Sequence, residues 1–270
     1  MGKNYEALKW TGNAHLAAKS QSISDDHSGT TRESFPWDSP SVPMQDNTKL
    51  PQNADAEEYE KIRTNMLTRY ADGTVSTIMF TGCSEGDGVS TSAAHFAIAM
   101  AKSSQPKVLL LEANLRNPSL GNKFDVRYGY DLLSLLCEYT KGPENSDELL
   151  LGIWCVSNMR FDNLFVIPCH KRCVDPVSIL GSAAYKSLFK KMKERFDYVI
   201  LDAPPVHGSP ECLVLASEID GVIMVINSGK TRGQVARNAK RQLEDAGGKL
   251  LGVVLNMRNY YIPERIYKRL

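Results

Sequence analysis

From residue 57 onward, short runs of apolar residues alternate with stretches in which apolar residues recur every three or four positions. Runs of the first kind are typical of buried strands, and the second spacing is typical of helices with one apolar face. Strands that are apolar throughout, each followed by a helix, favour a parallel sheet that is covered on both faces. The pattern therefore predicts a doubly wound α/β domain with a mainly parallel sheet.

The predicted elements locate the part of the domain where chemistry is expected. Strands are predicted at residues 76–81, 107–111, 164–167, 198–202, 221–226 and 250–256, and helices at 57–70, 90–103, 177–195, from 211, and at 233–246. In sheets of this kind, ligands bind beyond the carboxyl ends of the strands. The segments that follow Phe80, Leu111, Leu201 and Leu255 are therefore the ones to search.

The two ends of the chain differ from the predicted domain. Residues 13–56 are rich in Ser, Asp, Asn, Pro and Gln and poor in aliphatic residues. Such a segment buries too little apolar surface to offset the entropy of ordering it. We predict a disordered or loosely ordered arm at 1–56, a folded domain at 57–258 and a tyrosine-containing tail at 259–270.

Composition mainly excludes classes of function. Among the 270 residues, 32 Lys and Arg balance 31 Asp and Glu to a net charge of +1, so no global field favours nucleic acid or anionic lipid. No apolar run approaches the roughly 20 residues of a membrane span, and the start does not read as a secretory signal. We expect a cytoplasmic protein without a nucleic-acid partner.

The six cysteines are scattered, and only Cys169 and Cys173, which flank His170, offer a zinc-like set of ligands. Structural zinc sites usually combine such a pair with a second pair elsewhere, and none is evident. We favour the interpretation without a metal there.

A glycine-rich segment, GCSEGDGVST at residues 82–91, separates the strand at 76–81 from the next helix. Glycines allow consecutive backbone N–H groups to turn around an anion at a helix N-terminus. A working phosphate loop adds a lysine that reaches the β- and γ-phosphates and a hydroxyl that binds Mg²⁺. The candidate cradle is Gly86, Gly88, Val89, Ser90 and Thr91, in which Val89 stands where the lysine belongs. A glycine-rich turn that binds nothing is the alternative.

Carboxylates end two of the buried strands. Glu112 follows Leu111, and Asp202 precedes an Ala-Pro-Pro segment. At these tips a carboxylate can hold Mg²⁺ through water or accept a hydroxyl proton. Glu112 and Asp202 are the candidate catalytic residues, and Ser90 and Asp202 the candidate metal ligands.

Together these segments resemble the cytoplasmic domain of the bacterial tyrosine kinases that control capsule and exopolysaccharide chain length. The family motifs are Glu-x-x-Arg-x-x-Arg-Thr-Asn on a helix, then Pro-Gly-Glu-Gly-Lys-Ser-Thr, Asp-Ala-Asp-Leu-Arg-x-Pro and Tyr-Asp-x-Val-Ile-Ile-Asp-x-Pro-Pro. The corresponding segments here are residues 57–65, 85–91, 112–118 and 196–205. The resemblance covers residues 57–270 and implies a P-loop NTPase fold of the deviant Walker type.

The resemblance also implies site residues and partners. It places Arg116 in the nucleotide site and Asn256 at the adenine edge, although a plain strand-end residue explains Asn256 equally well. It gives the cofactor as ATP or ADP with Mg²⁺, if any is bound, and the partner as a membrane-anchored polysaccharide chain-length determinant protein. Such a partner would hold the chain at the inner membrane.

The family's autophosphorylated cluster corresponds to three tyrosines of the tail, Tyr260, Tyr261 and Tyr267. We favour the alternative in which the tail is an amphipathic segment that packs its apolar side chains, because their spacing alone explains the pattern. The three residues remain candidate phosphorylation sites.

The sequence departs from the family at several positions. Val89 replaces the phosphate lysine, Glu112 and Asn114 replace the aspartates of the second strand, and Glu60 replaces the middle arginine of the oligomerisation helix. An oligomer through helix 57–70 therefore stays open. A substitute lysine is not expected from Lys102, which lies roughly 18 Å along the helix at 1.5 Å per residue.

These departures favour a pseudokinase: a regulator of exopolysaccharide or capsule biosynthesis and export with lost or weak ATP binding. The first alternative is an active ATP-dependent tyrosine autokinase with an atypical phosphate loop. The second, a partitioning or septum-site ATPase, fits the fold but not the Asp-Ala-Pro-Pro segment together with the helix at 57–65.

Overall fold

The computed structural model describes residues 4–6, 56–102, 106–124, 126, 131–141, 154–155, 161 and 163–258, with the backbone alone for 4–6 and 154–155. Most of the predicted arm lies outside the described residues. The tail at 259–270, with Tyr260, Tyr261 and Tyr267, also lies outside them, so its tyrosines remain predictions.

The described strands form a single sheet of eight in the order β1-β8-β7-β2-β6-β3-β5-β4. The six central strands run parallel, whereas the edge strands β1 and β4 pair antiparallel to β8 and β5. Their bounds are β1 Asn4–Glu6, β2 Thr77–Gly82, β3 Val108–Glu112, β4 Trp154–Cys155, β5 Leu164–Ile167, β6 Tyr198–Asp202, β7 Gly221–Asn227 and β8 Leu250–Arg258.

Helices cover both faces of this sheet. Their bounds are α1 Ala56–Arg69, α2 Val89–Ala101, α3 Leu120–Lys123, α4 Leu132–Lys141, α5 Pro176–Leu180, α6 Ala183–Arg195, α7 Pro210–Ala216 and α8 Gly233–Asp245. One apolar cluster packs α1, α2 and the start of α3 against the sheet, and a second packs α4 to α8 against the other face. The predicted doubly wound α/β architecture is confirmed.

The predicted boundaries agree with the structure to within one or two residues, with one merged pair. The helix predicted at 177–195 is two helices, α5 and α6, because Gly181 ends the first and the Ser182 hydroxyl accepts a hydrogen bond from Tyr185 N at the start of the second. Four elements were not predicted from the sequence, namely α3, α4, β1 and β4. No helix among the described residues is long and apolar enough to cross a bilayer.

At the amino edge of the sheet, where the parallel strands begin, two aspartate carboxylates accept hydrogen bonds from neighbouring strand ends. Asp220, before β7, accepts hydrogen bonds from Ser76 N at 2.9 Å, Ser76 Oγ at 3.1 Å and Thr77 N at 2.8 Å. Asp197, before β6, accepts one from Lys107 N at 2.6 Å. Partial burial acts to raise the pKa of Asp220, but these hydrogen bonds outweigh it and hold the pKa below its ordinary value. The opposite edge is built differently.

Candidate functional site

The glycine-rich loop joins β2 to α2 at the carboxyl edge. Gly86 and Gly88 have φ values of 85° and 88°, in the left-handed region that glycine adopts most readily. Gly88 is the N-cap of α2, and no side chain caps that terminus. Since the first N–H groups of a helix have no partner within it, those of α2 are available to an anion.

Asp87 holds the loop in this conformation from within. Its carboxylate accepts hydrogen bonds from Cys83 N and Ser84 N, both at 2.9 Å, and from the Thr231 hydroxyl at 3.2 Å. The side chain is almost fully buried. The loop is therefore shaped by contacts of the protein itself and is ready before any ligand arrives.

Asn256 of β8 supports the loop from the neighbouring strand. Its Nδ2 donates to Asp87 O at 2.7 Å, and its Oδ1 accepts from Met257 N at 2.7 Å. A Cβ on Gly88 would collide with this amide nitrogen. Asn256 thus braces the loop, and its role at an adenine edge stays a prediction.

A cavity of about 180 Å³ opens above the loop. It is lined by residues 84–91 of the loop, by residues that follow β3 and by residues that follow β6, namely Asn114, Asn117, Ser119, Lys123, Ala203 and Pro205. The candidates Gly86, Gly88, Val89, Ser90 and Thr91 all border it. The structure thus brings the predicted cradle residues together at one cavity.

Val89, at the lysine position, is half-buried: it borders the cavity and also packs against the core. Its side chain lies against the apolar cluster of α1 and α2, and its Cγ2 would be 2.9 Å from a Cβ on Gly82. A branched apolar group there supplies no ammonium to the cavity. The loop therefore offers backbone N–H groups and hydroxyls without the charge that usually accompanies them.

The carboxylates Glu112 and Asp202 are neighbours on β3 and β6 and are both fully buried. The Glu112 carboxylate accepts hydrogen bonds from Leu120 N at 2.7 Å and from Ser119 N at 3.1 Å and 3.2 Å. Within the described part of the chain, neither carboxylate oxygen of Asp202 has a hydrogen-bond partner. One of the two carboxylates is satisfied, and the other is not.

Burial makes both of these groups weaker acids. It raises the pKa of Glu112 well above its ordinary value, and the charge of Asp202 adds to the rise, although the N–H groups of Leu120 and Ser119 oppose it. Burial also raises the pKa of Asp202 to about 7, against the effects of the nearby Ser90 hydroxyl and Lys123 ammonium. Burial at this edge of the sheet therefore disfavours the ionised form of both carboxyls.

Arg116 is turned toward a buried partner. Its Nε and Nη2 donate to the Glu211 carboxylate at 2.6 Å and 3.2 Å, and Glu211 is fully buried at the start of α7. Arg116 is not among the described residues that line the cavity. Its placement in the nucleotide site remains a prediction from the resemblance.

Lys123 at the end of α3 is a site residue that the sequence patterns did not reveal. Its Nζ donates to the Thr91 hydroxyl at 3.0 Å, and its side chain lines the cavity. By contrast, Lys102 pairs with Glu60 at 2.8 Å, and Lys107 lies at the amino end of β3. Ser119 before a short apolar spacing, Leu120 to Phe124, was the available signal for the helix that carries Lys123.

The residues present fit a magnesium nucleotide in part. The N–H groups at the start of α2 suit phosphate, and the Ser90 hydroxyl and the Asp202 carboxylate, whose oxygens have no partner among the described residues, suit Mg²⁺. The described residues contain no group of three or more His, Cys, Asp or Glu side chains placed to hold a metal, and Cys169 Sγ donates to Lys171 O at 3.0 Å.

The fold and this loop define an α/β domain of the P-loop NTPase class. No family model matches the sequence. Curated relatives include the tyrosine-protein kinase CpsD of Streptococcus agalactiae, 31% identical over 214 residues that cover 79% of this chain and 88% of the relative. The tyrosine-protein kinase YwqD of Bacillus subtilis (strain 168) is 30% identical and is covered to 82%, with 76% of this chain matched. The chain belongs to the bacterial tyrosine-protein kinase family.

Solved structures agree with this assignment. The chimerical protein CapA2B2 is 27% identical with a TM-score of 0.65, covering 76% of this chain and 85% of its own. The kinase domain of the Escherichia coli tyrosine kinase ETK, at 23% identity, has the same fold, with a TM-score of 0.66 over 77% of this chain and 80% of the ETK domain. The septum site-determining protein MinD of Pyrococcus horikoshii, complexed with Mg-ADP, shares only the fold, with a TM-score of 0.53 at 18% identity, over 66% of this chain and 69% of its own.

Proposed function

We propose that this protein is a regulator of exopolysaccharide or capsule biosynthesis and export, built on a tyrosine-kinase scaffold that has lost phosphoryl transfer. The observation that carries the proposal is Val89, which packs against the core at the position of the phosphate lysine. Charge-assisted hydrogen bonds of such a lysine are worth roughly 1.5–3 kcal/mol each. Their loss weakens nucleotide binding and removes stabilisation of the transferred phosphoryl group.

The position of the expected base supports the same proposal. Glu112 is buried, its carboxylate accepts the N–H groups of Ser119 and Leu120, and its pKa is raised. The N–H groups of Ser119 and Leu120 occupy the oxygens that would otherwise accept a proton from a tyrosine hydroxyl. Asn114, the other departure, lies two residues after the end of this strand and carries no charge. Proton abstraction and phosphate stabilisation are thus weakened at the same site.

A magnesium nucleotide would be held by the parts that remain. The loop N–H groups would bind its phosphates, and Ser90 with Asp202 would hold Mg²⁺, which supplies charge neutralisation when bound. Asp87 and Asn256 keep the loop in shape for this. Binding without transfer gives a regulator a nucleotide-dependent state.

The proposed setting is the cytoplasmic side of the inner membrane. There the chain binds a membrane-anchored chain-length determinant protein, as the family relationship suggests. The Glu60 carboxylate forms ion pairs within the same protomer, at 2.8 Å from Lys102 Nζ and 3.3 Å from Arg63 Nη1. These internal pairs neutralise the charge on α1 that an oligomer would otherwise have to accommodate, so an assembly through this helix would rest on other contacts.

An active autokinase with an atypical phosphate loop is the second candidate, and Lys123 at the cavity is the observation that favours it. The two are separated by phosphotyrosine mass spectrometry after incubation with Mg-ATP. The proposal expects no phosphotyrosine in the wild type and none in Val89→Lys, because Glu112 and Asn114 still disable proton abstraction. Phosphotyrosine in the wild type that disappears in Asp202→Asn would establish the active kinase instead.

The regulatory half of the proposal needs a cellular test. Deleting the gene is expected to change the length distribution of the exported polysaccharide. Reintroducing the wild-type gene is expected to restore it. A polymer profile unchanged by the deletion would contradict the regulatory role.

A further inference from the structure

We propose that Lys123 supplies the phosphate-binding cation that the loop lacks, and that it reaches the cavity from α3 on the opposite wall. The ligand class is the polyphosphate of a nucleoside diphosphate or triphosphate. The inference rests on the proposed function, because it concerns the same cavity and explains how a nucleotide is retained there without transfer.

The contacts of Lys123 place its charge at the phosphate end of the cavity. Its Nζ lies 3.0 Å from the hydroxyl of Thr91, which is in the first turn of α2 beside the open N–H groups. An ammonium has three N–H donors, and a hydroxyl accepts one of them. The remaining donors are available to phosphate oxygens that lie over the same helix terminus.

Lys123 is the one basic residue among the described residues that line the cavity. Two basic residues outside this lining have partners of their own: Arg116 is held by the buried carboxylate of Glu211, and Arg172 donates to Asn117 Oδ1 at 3.1 Å. A polyphosphate in the cavity would therefore find its countercharge at Lys123 and not at the loop.

The path of the chain between β3 and α3 fixes this lysine in position. Glu112 accepts the N–H groups of Ser119 and Leu120, which start the helix, while Leu120 and Phe124 are buried beneath it. Lys123 N in turn donates to Ser119 O at 3.1 Å. Glu112 is thus a positioning residue that anchors the helix carrying the cation.

The buried carboxylate of Asp202, which directly precedes the cavity residue Ala203, is a second observation that favours a ligand at this end of the cavity. Both its oxygens are buried without a hydrogen-bond partner in the described part of the protein, between Glu112 and the Ser90 end of the loop. A buried polar group without a partner calls for an explanation, and a bound cation is the one that suits a carboxylate. A magnesium polyphosphate would satisfy Asp202 and Lys123 at the same time.

The test is titration calorimetry of the full chain with Mg-ADP, Mg-pyrophosphate and adenosine. Lys123→Met keeps the apolar stem and removes the charge, and Lys186→Met removes an exposed lysine that pairs with Glu218 at 2.7 Å. Lys123→Met is expected to weaken Mg-ADP binding about tenfold or more, as the loss of one charge-assisted bond predicts. Lys186→Met is expected to stay within about twofold of the wild type, since it is an exposed pair away from the cavity.

The other ligands distinguish a charge contact from a structural effect. Adenosine affinity should not respond to Lys123→Met, whereas Mg-pyrophosphate affinity should fall with that of Mg-ADP. If pyrophosphate binds as tightly as ADP, the site takes polyphosphate without the nucleoside, and the nucleotide part of the proposal is overturned. Lys123→Arg should retain Mg-ADP binding, and Val89→Lys should restore it to the Lys123→Met variant.

Two results would overturn the assignment of Lys123. One is equal Mg-ADP affinity in the wild type and Lys123→Met, and the other is no binding of Mg-ADP or Mg-pyrophosphate by the wild type at millimolar concentration. If Lys123→Arg loses as much affinity as Lys123→Met, the charge is not responsible. Absence of binding would also remove the nucleotide-dependent state, whereas the proposed loss of phosphoryl transfer stands in every case, because phosphotyrosine formation tests it separately.

Discussion

The two edges of the sheet treat an aspartate at a strand end in opposite ways. At the amino edge, Asp220 accepts three hydrogen bonds from Ser76 and Thr77. At the carboxyl edge, Asp202 is fully buried, and the described residues provide neither of its oxygens with a hydrogen-bond partner. The first arrangement stabilises the fold. The second costs stability and keeps donor atoms ready for a ligand, as expected where doubly wound sheets bind theirs.

The two groups also have opposite pH dependence. The pKa of Asp220 is lowered on folding, so its contribution to stability is present above the ordinary Asp pKa and is lost as pH falls through the folded value. The pKa of Asp202 is raised to about 7, so the folded state holds a proton that the unfolded state has released. Stability from this group therefore falls as pH rises from about 4 to about 7.

The largest expected effect is at the amino edge. Asp220→Ala should lower the free energy of unfolding by about 3 kcal/mol, since it leaves the N–H groups of Ser76 and Thr77 without their acceptor. Urea unfolding at pH 7 measures this, with exposed Asp245→Ala as the control. The difference should shrink as pH falls toward 3, and an unchanged urea midpoint at pH 7 would show that the carboxylate does not hold this edge.

At the carboxyl edge, a matched pair of glycines separates strain from crowding. Gly86→Ala and Gly88→Ala both place a side chain at positive φ, which costs roughly 1–2 kcal/mol. Only the second also collides with Asn256, whereas a Cβ at Gly86 meets nothing within 4 Å. In urea unfolding, the free energy of unfolding of Gly88→Ala should be about 1–2 kcal/mol lower than that of Gly86→Ala. Equal losses would mean that Asn256 does not brace the loop.

The next effect has the opposite sign. Asp202→Asn removes a buried charge at pH 8, and we expect it to raise the free energy of unfolding by about 1 kcal/mol there. Near pH 4 the wild-type carboxyl is protonated, so the gain should disappear. Urea unfolding at the two pH values checks this, and a loss of stability at pH 8 would indicate that the Asp202 charge is satisfied in the folded protein.

The smallest effect is expected away from both edges. Lys186→Met breaks an exposed ion pair with Glu218, and such pairs contribute about 0.5 kcal/mol or less. Thermal unfolding in low and high salt should show nearly the same midpoint for this variant and the wild type. A clear loss at low salt would mean that surface charge, and not the sheet edges, sets stability.

The sequence predicted the central strands and the loop well for identifiable reasons. Buried strands such as Val108–Glu112 are runs of mainly apolar residues. The closely spaced glycines Gly86 and Gly88 indicate a tight turn, and both have positive φ values in the structure. The carboxylates Glu112 and Asp202 were placed at the site because parallel strands bring their carboxyl ends to one edge.

The parts that sequence did not predict depend on tertiary contacts. Lys123 reaches the cavity only because a four-residue helix, too short for a clear periodicity, is anchored by Glu112. Arg116 could face a phosphate or a carboxylate, and the buried Glu211 on a distant helix is the partner it contacts. Tertiary packing therefore decides that Lys123, and not Arg116, lines the cavity. The local sequence pattern around each residue does not encode that choice.

The most direct test of the central claim is a single-turnover measurement with the wild type. Protein in excess over Mg-ATP is incubated at pH 7, and the nucleotide is then quantified by chromatography over several hours. The account predicts that the ATP is recovered intact, because Val89 leaves the transferred phosphate without its lysine and the Glu112 carboxylate is occupied by the N–H groups of Ser119 and Leu120. Stoichiometric conversion to ADP with matching phosphotyrosine would contradict it.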